Sequence, residues 1–245
     1  GHQAGESVME WAVIFEAENL ALFGNGIVIT LWLLFSSLAV GAVLALVFAL
    51  LLTGPWAPLR WVVSAYTFVM RGTPLLIQVY LIYYGLGQLE WIQARWDAVW
   101  PWTYFKEPFF CTLLAFSLNT AAYTAEMLAG AIRETSAGEI EAAHAYGMSR
   151  VQTMLRIVLP SAARRTLPAY SNEVVMMLHA TSLASAVPNM LDITSAASRI
   201  YATYYLPFEA YLAAAAIYLC ASFCLIGFFR YSEGRLLAYL APQKH

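Results

Sequence analysis

The stretch GIVITLWLLFSSLAVGAVLALVFALLL, Gly26 to Leu52, decides the fold class. It lies inside a run from Asn19 to Leu59 that holds no charged residue. As an α-helix rising about 1.5 Å per residue it is about 40 Å long, enough to cross a hydrocarbon core of about 30 Å with tilt. The whole chain agrees with this segment. Of its 245 residues 61% are hydrophobic and 11% charged, where soluble globular chains run at roughly 45–50% and about 25%. A soluble domain of this size cannot hide so much apolar surface, so lipid is the expected solvent.

Working outward, Gly54-Pro55-Trp56-Ala57-Pro58 breaks the chain, and a second apolar span follows from about Trp61 to Gln88, interrupted by Arg71-Gly72-Thr73-Pro74. A tryptophan-rich polar connection, Glu90 to Glu107, precedes a third span from Pro108 to Ile132. After a polar stretch from Arg133 to Arg165 come a fourth apolar segment, Pro168 to Val187, and a fifth, Phe208 to Phe229. The expected fold is therefore all-α and integral to the membrane, with five transmembrane helices and the termini on opposite sides. The first segment is too long for a cleaved signal peptide and lacks a basic region before it, so it reads as a retained helix. Residues Gly1 to Val8 read as an expression remnant.

Positive charge sets the expected orientation. With the N-terminus external, the inner side carries Arg60, Arg71, Arg133, Arg150, Arg156, Arg164, Arg165, Arg230, Arg235 and Lys244, which is ten of the thirteen Lys and Arg residues. The opposite orientation inverts that ratio and violates the positive-inside rule. The 133–165 loop and the C-terminus are then cytoplasmic, and Trp91, Trp96, Trp100 and Trp102 form an outer interfacial belt. The net charge of -2 argues against a nucleic-acid partner. Neither lysine, Lys106 or Lys244, sits in a phosphate-binding loop, so no ATP site of that kind is expected. Cys111, Cys220 and Cys224 lie in apolar runs without ligand partners, so core packing is expected and no metal site.

The cytoplasmic loop carries the most information. Gly138 to Tyr146 holds good helix formers and Gly147 is a natural stop. Ser149 with Gln152 forms a capping box that starts a second helix, expected to end at Leu159-Pro160. A row of alanines flanked by Glu141 and Tyr146 makes a narrow knob that suits a groove on a cytoplasmic partner; a solvated helical hairpin would carry the same residues.

Glu141-Ala142-Ala143, three residues, Gly147, nine residues, Ile157, one residue, then Leu159-Pro160 resembles the E-A-A-x3-G-x9-I-x-L-P signature of ABC importer permeases. Arg71-Gly72-Thr73-Pro74-Leu75, Asn119 to Glu126 and Ser171-Asn172-Glu173 narrow the resemblance to the polar-amino-acid permeases, over about Asn25 to Arg235. It is closest to the membrane subunits of histidine/lysine/arginine/ornithine importers and their octopine and nopaline relatives. Many amino-acid permeases carry Lys-Asp where this chain has His179-Ala180, and the basic-amino-acid subunits share the histidine. Ala129-Gly130 also departs from the Arg-Gly of many relatives.

The resemblance implies a type I importer permease of the bacterial inner membrane. Residues 1–18 are then an external segment, 19–235 the transmembrane domain with its coupling loop at 133–165, and 236–245 a cytoplasmic tail. It implies that Glu141, Ala142, Ala143, Tyr146 and Gly147 dock on an ATP-binding subunit, and that the chain is not itself catalytic. It further implies no cofactor on this chain, ATP and Mg on two partner ATPases, an external solute-binding protein, and a second permease, homologous rather than identical.

Polar residues inside the spans supply the candidate transport path. A charge at mid-span costs on the order of 2.5–3.5 kcal/mol even on insertion scales, so ionisable groups there face a cavity or a partner. Asn119, Tyr123 and Glu126 share one stripe of the third helix. Asn172, Glu173, Met176 and His179 begin a neighbouring stripe on the fourth. Two carboxylates and a phenol suit a cationic substrate; alternatively Glu126 and Glu173 pair with Arg133, Arg71 or each other to hold the bundle together. Pro74 removes an N–H and frees the Met70 carbonyl, and Thr73 adds a hydroxyl beside it, so this break is a pathway element, a hinge or a plain kink. His179 is either a pH-sensing or substrate group or a histidine bonded within the bundle. Val187 to Tyr201 reads as an external amphipathic helix. Two other classes compete: a proton-coupled secondary transporter, for which no inverted repeat is visible, and an intramembrane serine protease, for which His179 has no serine nearby except Ser182.

Overall fold

The structure, a computed structural model, describes residues 11–95, 97, 100 and 102–236, and every regular element among them is helical. The expected expression remnant, the belt residue Trp96 and the tail beyond Leu236 lie outside the described residues. Helices α1 (Ala17–Thr53), α2 (Ala57–Gly72), α3 (Leu75–Tyr80), α4 (Pro108–Arg133), α5 (Ala137–Ala145), α6 (Arg150–Thr153), α7 (Leu159–Ala180), α8 (Ile193–Tyr204) and α9 (Pro207–Leu236) follow in order. A π-turn, Leu81–Gly85, and a 3-10 turn carry α3 on to Gln88.

Among the described residues α1 and α9 are long and apolar enough to cross a membrane, and α2 with Leu75–Gln88 makes a third if that broken pair counts as one span. Helices α4 and α7 occupy the third and fourth expected spans but are less apolar. They carry polar side chains that the protein itself buries: Thr112, Ser117, Asn119, Thr120 and Thr124 on α4, and Thr166 on α7. A helix shielded by protein does not need an apolar surface all round.

Several expectations change. The helix begun by Ser149 does not end at Leu159-Pro160: a π-turn, Met154–Val158, joins α6 directly to α7. The wider turn accommodates Pro160, whose missing N–H would break a regular helix. Helix α7 stops at Ala180 rather than Val187, with a 3-10 turn over Thr181–Ala186. Cys111 is buried, but Cys220 and Cys224 are exposed on α9. In lipid an apolar run need not mark a protein core, and α9 keeps few of its side chains inside.

The chain divides into two compact units. One contains Gly1–Ser37, Pro74–Ser117 and Met176–Cys224; the other contains Leu38–Thr73, Leu118–Val175 and Leu225–His245. The first unit packs Phe23 of α1 against Ile193, Ala196, Ala197 and Ile200 of α8 and Ala210 and Ala214 of α9. The α8 set recurs at one helical face, which makes α8 the expected amphipathic helix, starting at Ile193 rather than Val187. Its start is held from both sides. Asp192 accepts from Thr194 N at 3.0 Å, Ser195 N at 3.3 Å and Ser195 Oγ at 2.6 Å. Thr30 of α1 accepts from Ile193 N at 3.3 Å. Gly26 permits that approach, because a Cβ there would meet Asp192 O and Ile193 N and Cα at 3.0 Å each.

The second unit packs around small residues. Ala45, Ala49 and Leu52 of α1 meet Val63 of α2, Ala125, Ala129 and Ile132 of α4, Val158 and Ala162. Alanine lets helices approach closely, which is how helices associate where no hydrophobic drive separates them from lipid. Arg133 Nη2 donates to Leu52 O at 3.2 Å, closing the C-terminus of α1 with a positive charge.

Two outcomes follow for the first unit. Gly26→Val should lower the melting temperature, costing about 1–3 kcal/mol by overpacking against fixed backbone. Gly24→Ala, where an added Cβ meets nothing within 4 Å, should be neutral or slightly stabilising in the same melt. Burial pushes the Asp192 carboxyl above its ordinary value, against the opposing pull of its bonds from Ser195 and Thr194. A raised value means the folded state holds the proton more tightly. That contribution is complete below the unfolded carboxyl value near about 3.9 and is lost as pH rises through the folded one. Asp192→Asn still caps α8, so it should gain stability relative to the parent as pH rises from about 4 to about 8. Parallel stability-versus-pH curves for the two proteins would contradict this. Asp192→Ala should lose about 1 kcal/mol with the cap.

Candidate functional site

The hairpin of α5 and α6 is built as its sequence demands. Ser136 caps α5 by accepting from Glu139 N at 3.3 Å. Tyr146 is the C-cap and Gly147 takes φ +77°, a left-handed conformation that side-chain-bearing residues resist. Gly147 N then donates to His144 O and Met148 N to Ala143 O. Ser149 accepts from Gln152 N at 3.3 Å while Gln152 Oε1 accepts from Ser149 N at 2.9 Å, the full capping box. Ile140, Met154 and Leu159 pack on the alanine core, so the hairpin is seated on its unit.

The outward face of α5 differs from the expected alanine knob in one member. Glu141, Ala142 and Tyr146 are exposed, Tyr146 at 90%, whereas Ala143 is buried at 4%. Ala143 therefore serves the seat of the helix, and its small size lets α5 lie close to the hairpin's other limb.

The polar stripe of α4 meets α2. Asn119 Nδ2 donates to Met70 O at 3.4 Å and Tyr123 OH to Arg71 O at 3.2 Å. These are carbonyls left over where Gly72 and Pro74 end the helix, with Thr73 and Pro74 in extended backbone. Thr67 Oγ1 donates to Glu126 Oε1 at 2.6 Å, and Tyr66 OH donates to Leu118 O at 2.6 Å. The Arg71 guanidinium lies over the Tyr123 ring at 5.5 Å. Thr73 Oγ1 donates to Val69 O at 2.9 Å. The Met70 carbonyl and the Thr73 hydroxyl are thus engaged within the chain. Interhelical hydrogen bonds in membranes contribute about 0.6 kcal/mol each on average, so the seam sets register more than it adds stability.

Of the remaining sequence candidates, Asn172 is exposed and Glu173 half-buried. The buried Thr120 hydroxyl lacks a partner of good hydrogen-bond geometry, although Glu173 lies within interaction range of it. His179 belongs to the other unit, where its Nε2 lies 2.9 Å from Ser222 Oγ. Ser222 gives its single hydrogen to Tyr218 O at 2.8 Å, so the histidine Nε2 is the donor. Ser222 is the serine partner that sequence reasoning missed, and its hydrogen-bond direction makes it an acceptor, not an activated nucleophile. The structure therefore brings Asn119, Tyr123 and Glu126 together along α2, and bonds His179 to Ser222 of α9.

Sequence reasoning also passed over Tyr66, Thr67 and Arg165. Tyr66, Thr67 and Met70 recur at helical spacing ahead of the Gly72–Pro74 break, a stripe that matches the one on α4. Arg165 carries no local pattern that separates it from Arg164.

Residues 41–238 match the family described as binding-protein-dependent transport system inner membrane component. The chain is 44% identical over 225 residues to the histidine/lysine/arginine/ornithine transport system permease protein HisM of Escherichia coli (strain K12), covering 89% of this chain and 90% of that protein. It is 43% identical over 228 residues to the octopine transport system permease protein OccM of Rhizobium meliloti, covering 93% and 91%. A solved amino acid ABC transporter with histidines matches at TM-score 0.75 and 31% identity, over 91% of this chain and 97% of that one. The inward-facing MetNI methionine ABC transporter shares the fold at TM-score 0.67 and 18% identity, over 92% and 99%. Helix order, relatives and fold agree, and the chain belongs to the family of binding-protein-dependent transport system inner membrane components.

Proposed function

We propose that this chain is the transmembrane permease subunit of an ATP-driven importer for basic amino acids or related opines. The observation that carries this reading is the 44% identity across 89% of the chain to a permease named for histidine, lysine, arginine and ornithine. In this reading five spans cross the inner membrane, counting α4 and α7, with the N-terminus external and the hairpin cytoplasmic. Energy comes from two ATP-binding subunits that hydrolyse ATP with Mg, since this chain has no phosphate-binding loop. An external binding protein delivers the substrate, and a homologous second permease completes the pathway.

The exposed face of α5, with Glu141, Ala142 and Tyr146, docks on an ATPase, and its displacement biases the spans between inward- and outward-open states. On the substrate side, Glu126 and Glu173 offer carboxylates to a guanidinium or ammonium and Tyr123 offers a ring face. Asn119, Asn172 and Thr73 supply polar groups. In the present arrangement Thr67 and Arg71 occupy Glu126 and Tyr123. A cationic substrate therefore exchanges with groups of this chain when it binds.

Three experiments test the reading. Glu141→Lys should lower recovery of the ATP-binding subunit on the purified permease and abolish transport. Gly147→Val should do the same, because its φ of +77° costs a residue with a side chain about 1–2 kcal/mol. Normal recovery and transport for both would remove α5 from the interface. With the native cysteines replaced, Gln3→Cys should react with an impermeant thiol reagent from outside and Ala145→Cys only from inside; external labelling of position 145 would reverse the topology. Glu126→Gln and Glu173→Gln should weaken transport of arginine roughly tenfold, because the charge-assisted part of each bond is lost. Transport of a neutral amino acid should fall less, and assembly should persist. Equal losses for charged and neutral substrates would make both carboxylates structural.

A further inference from the structure

We propose that Arg165 is a positioning residue that clamps the base of the cytoplasmic hairpin, so that α4, α5 and α7 respond to the ATPase as one piece. Its guanidinium spans three segments. Nη1 donates to Ser161 Oγ at 2.7 Å, and Nη2 donates to Ala131 O at 2.8 Å and to Thr135 Oγ1 at 2.9 Å. Ala131 lies in the last turn of α4, where the carbonyls have no partner within the helix. Thr135 directly precedes Ser136, the residue that caps α5. Ser161 lies in the first turn of α7. One side chain therefore joins the helix that enters the hairpin, the link to α5, and the helix that leaves.

The hairpin beyond this clamp is stiff along its length. Both helix starts are capped, Gly147 closes the turn, Ile140 packs α5 on the core and Ala143 is buried. A push on α5 therefore reaches its base without being absorbed. At the base the seam must resist shear, and here a planar fork differs from a point charge: its donors have fixed directions, so sliding either helix breaks the bonds together.

The chemistry of Arg165 argues against a merely stabilising role. The group is half-buried, its Nε is buried without a hydrogen-bond partner, and among the described residues no carboxylate forms an ion pair with it. A partly desolvated charge without an ion pair adds little stability, and a neutral donor would cap the same carbonyl at lower desolvation cost. What the guanidinium adds is simultaneous, direction-specific attachment to three segments.

The inference rests on α5 being the ATPase contact, and the experiment separates the two. The assembled complex, with its ATP-binding subunit and loaded binding protein, is reconstituted in proteoliposomes, and amino acid transported per ATP hydrolysed is measured. Arg165→Gln should still bind the ATP-binding subunit and keep its basal hydrolysis. Its transport per ATP should fall roughly tenfold, within the range by which mutations along a mechanical connection alter coupling. Arg165→Lys keeps the charge without the fork and should not restore the ratio. Thr135→Val and Ser161→Ala each remove one bond and should each lower the ratio by about two- to fourfold; these two variants decide the matter if Arg165→Gln fails to assemble. An unchanged ratio in Arg165→Gln, full rescue by lysine, or unchanged ratios in both single-bond variants overturns the clamp. Failure of the parent chain to bind any ATP-binding subunit instead overturns the coupling reading beneath it.

Discussion

A helix end inside a membrane is its most expensive part, because the last carbonyls and first N–H groups have no intrahelical partner and hydrocarbon offers none. Much of this structure follows from closing helix ends, wherever they lie. The carbonyls of Met70 and Arg71 at the end of α2 are met by Asn119 and Tyr123 of α4. Leu52 O near the end of α1 is met by Arg133, and Ala131 O near the end of α4 by Arg165. At the start of α8, Asp192 and Thr30 take the free N–H groups. Apart from Asp192, each closing group comes from a distant part of the chain. Closing an end and packing a neighbour are therefore one event.

This constraint explains how the chain accommodates the proline break after α2. Pro74 denies Met70 its usual donor, and the chain leaves helical conformation at Thr73 and Pro74. The polar stripe of α4 takes up the consequences, with Thr67 to Glu126 and Tyr66 to Leu118 adding ties nearby. The bonds that join α4 to α2 in this seam are polar contacts. A polar cationic cargo brings donors of the same type. The features that make the break tolerable in lipid are therefore the features a transport path needs.

The hairpin shows the opposite design. Its bonds are local and redundant: two caps, one left-handed glycine and a buried alanine seat. The outer face of α5, headed by Tyr146, stays open, as do Val151 and Leu155 on the other limb. The bonds of the hairpin are local, whereas those along α2 and α4 join residues about 50 positions apart.

The sequence by itself determined the solvent, the all-helical class, the hairpin and the family. The first three depend on composition, on 3.6-residue periodicity and on caps whose partners lie within four residues, all local properties of the chain, and the family on the signature that Glu141 to Pro160 resembles. It also marked the Asn119, Tyr123 and Glu126 stripe, because polar residues at helical spacing stand out in an apolar span. Which groups they would meet was not legible. Thr67 is 59 residues from Glu126, Arg165 is 34 from Ala131, and His179 is 43 from Ser222. Nor did an apolar run reveal whether it faces protein or lipid, which is why Cys220 and Cys224 are exposed and Ala143, in a polar loop, is buried. Only the tertiary structure decided those partners, because a hydrogen-bond group is satisfied by whatever the packing of helices brings within 3 Å of it, and that packing is a property of the whole chain.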